Sequence, residues 1–208
     1  MTQKRGMAFL VFEGIDGAGK STLIESLKKE LVEKNQQVVL TREPGGTPLG
    51  EELRKLLLQL DGDSPVPRAE LLLYEAIRAQ HVEKVIKPAL KAKKWVLCDR
   101  YTPSTLAFQA GGRNLDRGPI DWLNEYATDK LEPHLVVLLD LAPEDGQERM
   151  KNREKDRFEV EALDFHHKVR NHYLEQAKEN PQNWLVLDAT KSPEVLFHEL
   201  LEHLEAKL

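Results

Sequence analysis

The stretch Gly14-Ile15-Asp16-Gly17-Ala18-Gly19-Lys20-Ser21 decides the fold. It matches the pattern G-x-x-x-x-G-K-[ST], follows an apolar run and precedes a segment with helical spacing of apolar residues. In that context the glycines let backbone N–H groups converge on phosphate oxygens at a helix N-terminus. We therefore predict that Lys20 reaches the β- and γ-phosphates of a nucleoside triphosphate and that Ser21 ligates Mg²⁺.

Short apolar runs of strand length recur along the chain and predict a sheet. They do not alternate with polar residues, as expected for strands buried on both faces, and helical segments separate them. Strands that alternate with helices along the chain are typical of βαβ units. We therefore predict an α/β fold with a five-stranded parallel sheet flanked by helices. The predicted strands are Ala8–Phe12, Val38–Leu40, Trp95–Cys98, Leu135–Leu139 and Trp184–Leu187. The predicted helices are Lys20–Lys34, Leu49–Leu60, Ala69–Ala92, Ile120–Lys130, Glu144–Asn152, Val160–Glu179 and Pro193–Leu208.

The composition limits the class of partner. A formal net charge of −5 argues against a general nucleic-acid surface, which needs a basic stripe. No apolar stretch approaches a membrane span. The chain has 1 cysteine, Cys98, inside an apolar run, so we expect a buried thiol and no disulfide. By default we expect a cytoplasmic protein without nucleic-acid or membrane partners.

Polar residues follow the predicted strands, where ligands of doubly wound sheets gather. Asp99 and Arg100 come directly after the third strand. A carboxylate there could hold Mg²⁺, directly or through a water molecule, and an arginine could bind a second phosphate in a bidentate manner. The alternative is a capping or ion-pair role.

The phosphate loop does not by itself name a reaction. The guanine-specifying pattern N-K-x-D is absent, which argues against a GTPase. The alternatives left open are a nucleotide-dependent switch without transfer activity and a small-molecule kinase.

Four motifs resemble the thymidylate kinase family in order and spacing across essentially the whole chain. They are Phe12–Thr22 around the phosphate loop, Thr41–Thr47 (TREPGGT), Asp99-Arg100-Tyr101 with Ser104, Ala107, Phe108 and Gln109, and Asp156-Arg157-Phe158-Glu159. The resemblance implies a P-loop nucleoside monophosphate kinase fold in one domain, residues 1–208, with a short lid at about 143–160. It implies ATP-dependent phosphorylation of dTMP to dTDP in dTTP biosynthesis, with Mg²⁺, and a homodimer. A kinase of the same fold with another pyrimidine acceptor stays open.

The resemblance also implies roles for individual residues. Tyr74 would stack on thymine and Arg78 would donate to a thymine carbonyl, although such a pair by itself is also typical of a buried aromatic beside a surface arginine. Asp16 would hold the 3′-hydroxyl of the acceptor sugar, and Arg100 the acceptor phosphate. The remaining implied acceptor residues are Glu43, Arg54, Ser104, Thr105 and Gln109. The implied nucleotide-binding residues are Gly14, Ile15, Asp16, Gly17, Ala18, Gly19, Lys20, Ser21, Thr22 and Arg149.

A run of alternating basic residues lies between Arg149 and Arg157. Taken alone it could be a solvated helix face. By resemblance it belongs to the lid, with Arg149 packing on adenine and Arg153 and Arg157 reaching phosphates. Gly17 and Ala18 occupy the positions where some family members carry a loop arginine, so the chain resembles the bacterial type with lid arginines. The predicted catalytic residues are thus Lys20, Arg100, Arg153, Asp16 and Arg157.

Overall fold

A computed structural model describes residues 8–60, 62–151 and 156–207. Its strands form one parallel sheet in the order β2-β3-β1-β4-β5, which confirms the predicted five-stranded parallel sheet. The strands are β1 (Phe9–Glu13), β2 (Val38–Arg42), β3 (Trp95–Asp99), β4 (Leu135–Asp140) and β5 (Trp184–Asp188). Strand β1 is central and fully buried, whereas the edge strands β2 and β5 are partly exposed. The expectation of burial on both faces was therefore wrong for the edges, which lack a neighbouring strand on one side.

The register brings the polar strand ends together. Phe12 pairs with Asp99, and Asp99 pairs in turn with Arg42. On the other side of β1, Asp140 pairs with Asp188. The carboxyl ends of parallel strands lie at one edge of the sheet, so these side chains border a common space.

Helices cover both faces of the sheet and also form its connections. They are α1 (Lys20–Glu33), α2 (Pro48–Leu58), α3 (Pro67–His81), α4 (Lys87–Lys91), α5 (Thr102–Thr105), α6 (Arg117–Thr128), α7 (Pro143–Arg149), α8 (Leu163–Glu179) and α9 (Pro193–Lys207). Two π-helical segments, Val82–Ile86 and Leu106–Gly112, continue α3 and α5. Within the described ranges no helix is both long and apolar enough to cross a membrane.

The helix predicted over Ala69–Ala92 is interrupted by the π-helical segment Val82–Ile86. Pro88 lies just beyond it and cannot donate to the carbonyl one turn back. The wider turn joins the backbone N–H of Lys87 to the carbonyl of Val82 instead. The helical backbone therefore continues from α3 into α4 past the proline.

The helical segment Thr102–Gly112 was missing from the sequence prediction. Pro103 stands in its first turn, where a proline is tolerated. Gly111 and Gly112 end this segment. In a sequence pattern, two adjacent glycines argue against a helix. In the structure a Cβ at Gly111 would lie 2.4 Å from the His172 ring, and one at Gly112 2.4 Å from the Phe165 ring. These glycines therefore serve close packing against α8.

Helix α8 begins at Leu163 instead of the predicted Val160. The preceding residues form a turn in which Asp156 Oδ1 accepts hydrogen bonds from the backbone N–H groups of Phe158 and Glu159, at 2.9 and 3.0 Å. This side-chain acceptor stabilises a turn in place of a further helical turn.

Candidate active site

The phosphate loop folds around the ammonium group of Lys20. Lys20 Nζ donates to the carbonyl oxygens of Gly14 and Ile15, at 3.0 and 3.1 Å, and lies 3.6 Å from Asp16 Oδ1. Burial and the nearby Arg100 lower the pKa of Lys20. Gly17 has a positive φ of 82°, and a Cβ there would lie 2.6 Å from the carbonyl oxygen of Gly146 in α7. The loop thus packs directly on the backbone of α7, the first helix of the predicted lid region.

An open cleft of about 680 Å³ lies beyond the carboxyl ends of β1, β2 and β3. It brings together most of the side chains predicted from sequence, which come from widely separated positions. Lining residues among the predicted ones are Asp16, Gly17, Gly19, Lys20, Ser21, Thr22, Glu43, Arg54, Tyr74, Arg78, Asp99, Arg100, Ser104, Thr105, Gln109 and Arg149. Gly14, Ile15 and Ala18 are buried behind the loop surface, and Arg157 does not line the cleft.

Arg100 lies between the phosphate loop and the predicted acceptor side of the cleft. Its Nη2 donates to Asp16 Oδ1 at 2.8 Å, and its Nη1 donates to Tyr173 OH at 3.1 Å and to Ser104 Oγ at 3.3 Å. The backbone of Arg100 has a positive φ of 74°, which is uncommon for residues other than glycine and is often found at functional sites. The guanidinium group is therefore held in the position that the sequence predicts for a phosphate-binding arginine.

Two residues that support Arg100 were missed by sequence reasoning. Glu13 is completely buried and accepts hydrogen bonds from Ser104 Oγ at 2.7 Å and from Tyr173 OH at 2.8 Å. Burial raises the pKa of Glu13, against the lowering effect of Arg100. Glu13 directly follows the predicted strand Ala8–Phe12, but nothing in the sequence connects it to Tyr173, 160 residues later on α8.

Arg78 is buried in a cluster of polar side chains. Its Nε donates to Glu43 Oε2 at 2.8 Å, and its Nη1 donates to Glu75 Oε1 at 2.5 Å and to Thr105 and Asn124 at 2.8 Å each. Since these bonds use Nε and Nη1, the Nη2 edge is the part of the fork that can face the cleft. The structure thus places Arg78 at the predicted site, but as a buried ion-paired residue with 1% exposure instead of a surface arginine.

The loop after β2 is fixed from both sides of the cleft. Glu43 Oε1 lies 2.9 Å from His81 Nδ1, and Arg54 Nη1 donates to the carbonyl of Pro44 at 2.7 Å. Burial, together with the charge of Arg42, lowers the pKa of Arg54. These contacts hold the predicted acceptor loop against α2 and α3.

Aromatic rings form one wall of the cleft. Tyr74 and Phe108 both pack edge-on against Phe158, with centroid distances of 6.2 and 5.7 Å. The Arg100 guanidinium lies over the Phe108 ring at 5.1 Å. The predicted stacking residue Tyr74 is therefore braced by Phe158, which belongs to the predicted lid region.

The arginines of the predicted lid region occupy different environments. Arg149 donates from Nη1 to the Gly17 carbonyl at 3.3 Å and from Nη2 to the Ala189 carbonyl at 2.9 Å. Arg157 instead donates to the Leu57 carbonyl at 2.8 Å and to Glu70 Oε2 at 2.7 Å. The structure does not bring Arg157 to the phosphate loop. Arg153 lies outside the described residues.

The site fits a Mg²⁺ ion that is bound mainly through phosphates. Asp99 Oδ1 is buried and accepts no hydrogen bond from the described residues, and Asp99 lines the cleft together with Ser21. The described residues contain no cluster of three or more histidine, cysteine or acidic side chains suited to a metal. Because Mg²⁺ in phosphoryl-transfer sites takes one or two protein oxygens and completes its shell with phosphates and water, Asp99 and Ser21 suffice.

Comparisons with known proteins agree with this geometry. The family model described as thymidylate kinase matches residues 12–200. The thymidylate kinase of Bdellovibrio bacteriovorus is 49% identical over 204 residues, covering 95% of each chain, and that of Desulfovibrio desulfuricans is 47% identical, covering 96% of each. The crystal structure of thymidylate kinase from Ehrlichia chaffeensis superposes with a TM-score of 0.77 at 35% identity, covering 96% of this chain and 99% of that one. The chain therefore belongs to the thymidylate kinase family.

Proposed function

We propose that this protein transfers the γ-phosphoryl group of ATP to the phosphate of dTMP and produces dTDP and ADP. The observation that carries the proposal is the arrangement of the cleft. The phosphate loop with Lys20 lies at one end, the Tyr74 ring and the Arg78 fork lie at the other, and Arg100 stands between them. This is the order in which a triphosphate, an acceptor phosphate and a pyrimidine base would follow one another.

The proposed chemistry needs alignment and charge neutralisation. The acceptor phosphate oxygen is already anionic, so no side chain has to remove a proton from it. Lys20 neutralises charge that grows between the β- and γ-phosphates, and Arg100 orients the acceptor phosphate. Ser21 and Asp99 would hold Mg²⁺, which would supply further positive charge against the phosphates. Asp16, which contacts Arg100 at 2.8 Å, would hold the 3′-hydroxyl of the sugar.

The adenine is proposed to bind against Arg149. This side chain spans the carbonyls of Gly17 in the phosphate loop and Ala189 after β5. The residues around 143–160 would act as a lid of the single domain, with Arg153 contributing to the phosphates. The lid and the role of Arg153 rest on the sequence resemblance.

A coupled assay of ADP formation with dTMP, dUMP, dCMP and dGMP tests the function. We expect fast turnover with dTMP, little with dUMP or dCMP and none with dGMP. Equal rates with the pyrimidines would favour a kinase of broader specificity. Nucleotide binding with no acceptor-dependent ADP would favour a switch without transfer activity and overturn the proposal.

We also propose that the protein acts as a homodimer in the cytoplasm. Its buried Cys98 forms no disulfide, which is compatible with that compartment. Trp122 and Tyr126 on α6 are 63% and 76% exposed and stack with a centroid distance of 5.5 Å. Leu72 on α3, the helix that packs against α6, is 56% exposed. We propose that these exposed apolar side chains contribute to the dimer contact. Sedimentation should give a dimer at micromolar concentration, and Trp122→Glu should weaken it. A wild-type monomer would contradict the proposal.

A further inference from the structure

Gln109 is fixed by a single buried carboxylate. It lines the cleft beside Thr105 and Arg78 but is only 1% exposed, and its Nε2 donates to Glu70 Oε1 at 2.9 Å. The hydrogen bonds of the described residues leave its Oε1 without a donor. The two ends of the amide are thus in different environments, one on Glu70 and one toward the cleft.

Glu70 is fully buried on α3, and it is surrounded by positive charge. Arg157 Nη2 donates to its Oε2 at 2.7 Å, and Arg113 donates to both of its oxygens at 3.3 and 3.4 Å. A carboxylate held by two guanidinium groups is an acceptor only. It can therefore accept from the NH₂ end of the Gln109 amide but cannot donate to its carbonyl end.

From this contact we propose that Glu70 is a specificity-determining residue that acts through Gln109, an inference that rests on the proposed function. Because Glu70 takes the NH₂ end, the amide presents its carbonyl oxygen to the base. A carbonyl accepts from the N3–H of thymine, whereas N3 of cytosine is itself an acceptor and would face that oxygen without a proton. Glu70 thereby rejects cytosine without touching it.

The alternative is that Glu70 only braces α3 against Arg113 and Arg157. Loss of a purely bracing residue would lower kcat/KM for dTMP and for dCMP by the same factor. The ratio of the two kcat/KM values therefore separates a bracing role from a role in specificity. In Glu70→Gln the new amide can donate or accept, which frees Gln109 to turn its NH₂ end toward the cleft. We expect the ratio to fall about tenfold, because a site built for one hydrogen-bonding partner discriminates strongly.

Glu161→Gln is the matched control. Glu161 Oε1 accepts from Arg113 Nη1 at 2.5 Å, so this variant also removes a charge from the same arginine, but Glu161 has no hydrogen bond to Gln109. We expect it to keep the wild-type ratio. A ratio that fell equally in both variants would show that the charge cluster, and not the amide orientation, sets specificity.

A double-mutant cycle tests the route through Gln109. In a Gln109→Ala background, Glu70→Gln should leave the remaining dTMP/dCMP ratio unchanged. An unchanged ratio in the single variant, or an equal fall in both backgrounds, would overturn the inference. If Glu70→Gln does not fold, Glu70→Asp, which keeps the charge but shortens the reach, is measured in the same cycle and read by the same criteria. If the wild-type protein forms no ADP in response to dTMP, the proposed function itself is refuted.

Discussion

Lys20→Ala is expected to lower kcat on the order of 10²-fold or more, because the phosphate loop has no second cation to take its place. In the structure the ammonium group rests on the carbonyls of Gly14 and Ile15 at 3.0 and 3.1 Å, in the centre of the loop. When a triphosphate binds, the same group can turn to the β- and γ-oxygens without a change of the backbone. Steady-state ADP release at saturating ATP and dTMP measures the loss.

Lys28→Ala on the same helix is the control for this prediction. Its side chain is 42% exposed and pairs with Glu25 on the surface, so we expect wild-type kcat. Lys20 also contacts Asp16 at 3.6 Å, and circular dichroism of Lys20→Ala therefore has to show a folded protein. A folded Lys20→Ala enzyme with nearly full turnover would remove Lys20 from the mechanism and with it the kinase assignment.

The sheet was predictable because its strands are short, apolar and separated by clear helical periods. Every predicted strand lies within one residue of an observed one at its start, and β2 extends two residues further at its end. The hidden helical segment Thr102–Gly112 shows the limit of this reasoning. Its glycines are required by contacts with Phe165 and His172, which lie more than fifty residues away and leave no trace in the local pattern.

The cleft was predictable where residues lie in short motifs and unpredictable where they meet by folding. The phosphate loop and Asp99-Arg100 were singled out because they follow predicted strands, and in the structure both line the cleft. The burial of Arg78 was not visible from sequence, because its partners Glu43, Thr105 and Asn124 come from three other segments. Removal of Arg78 would take its positive charge away from the buried carboxylates of Glu43 and Glu75, so an Arg78→Ala variant would change stability as well as the affinity for dTMP.

One arginine is expected to neutralise the charge that develops on the phosphoryl group during transfer. The contacts of the other arginines narrow the choice of that residue. Arg100 donates hydrogen bonds to Asp16 and Ser104. Arg149 spans the backbone carbonyls of Gly17 and Ala189, and Arg157 donates to Leu57 and Glu70. The middle of the phosphate loop is Gly17 and Ala18 and offers no cation. Among the lid arginines predicted to reach phosphates, Arg153 is then the candidate that these contacts leave.

Arg153→Ala is therefore expected to lower kcat by about 10³-fold while changing the affinity for ATP little, as with supplied arginines in related phosphotransferases. The contact strengthens as charge develops on the phosphoryl group, so its loss appears in the transition state more than in the ground state. Single-turnover rates with saturating dTMP and equilibrium binding of ATP separate the two effects.

Arg157→Ala is the control variant for this prediction. Arg157 is 11% exposed and holds Glu70 and the end of α2, so its loss should lower the free energy of unfolding and affect kcat less than Arg153→Ala does. A steeper loss of kcat in Arg157→Ala, in a protein of unchanged stability, would mean that this side chain leaves Glu70 during turnover and reaches the phosphates itself. Wild-type kcat in both variants and in their combination would show that the transition state is neutralised without the lid, and the lid mechanism would be wrong.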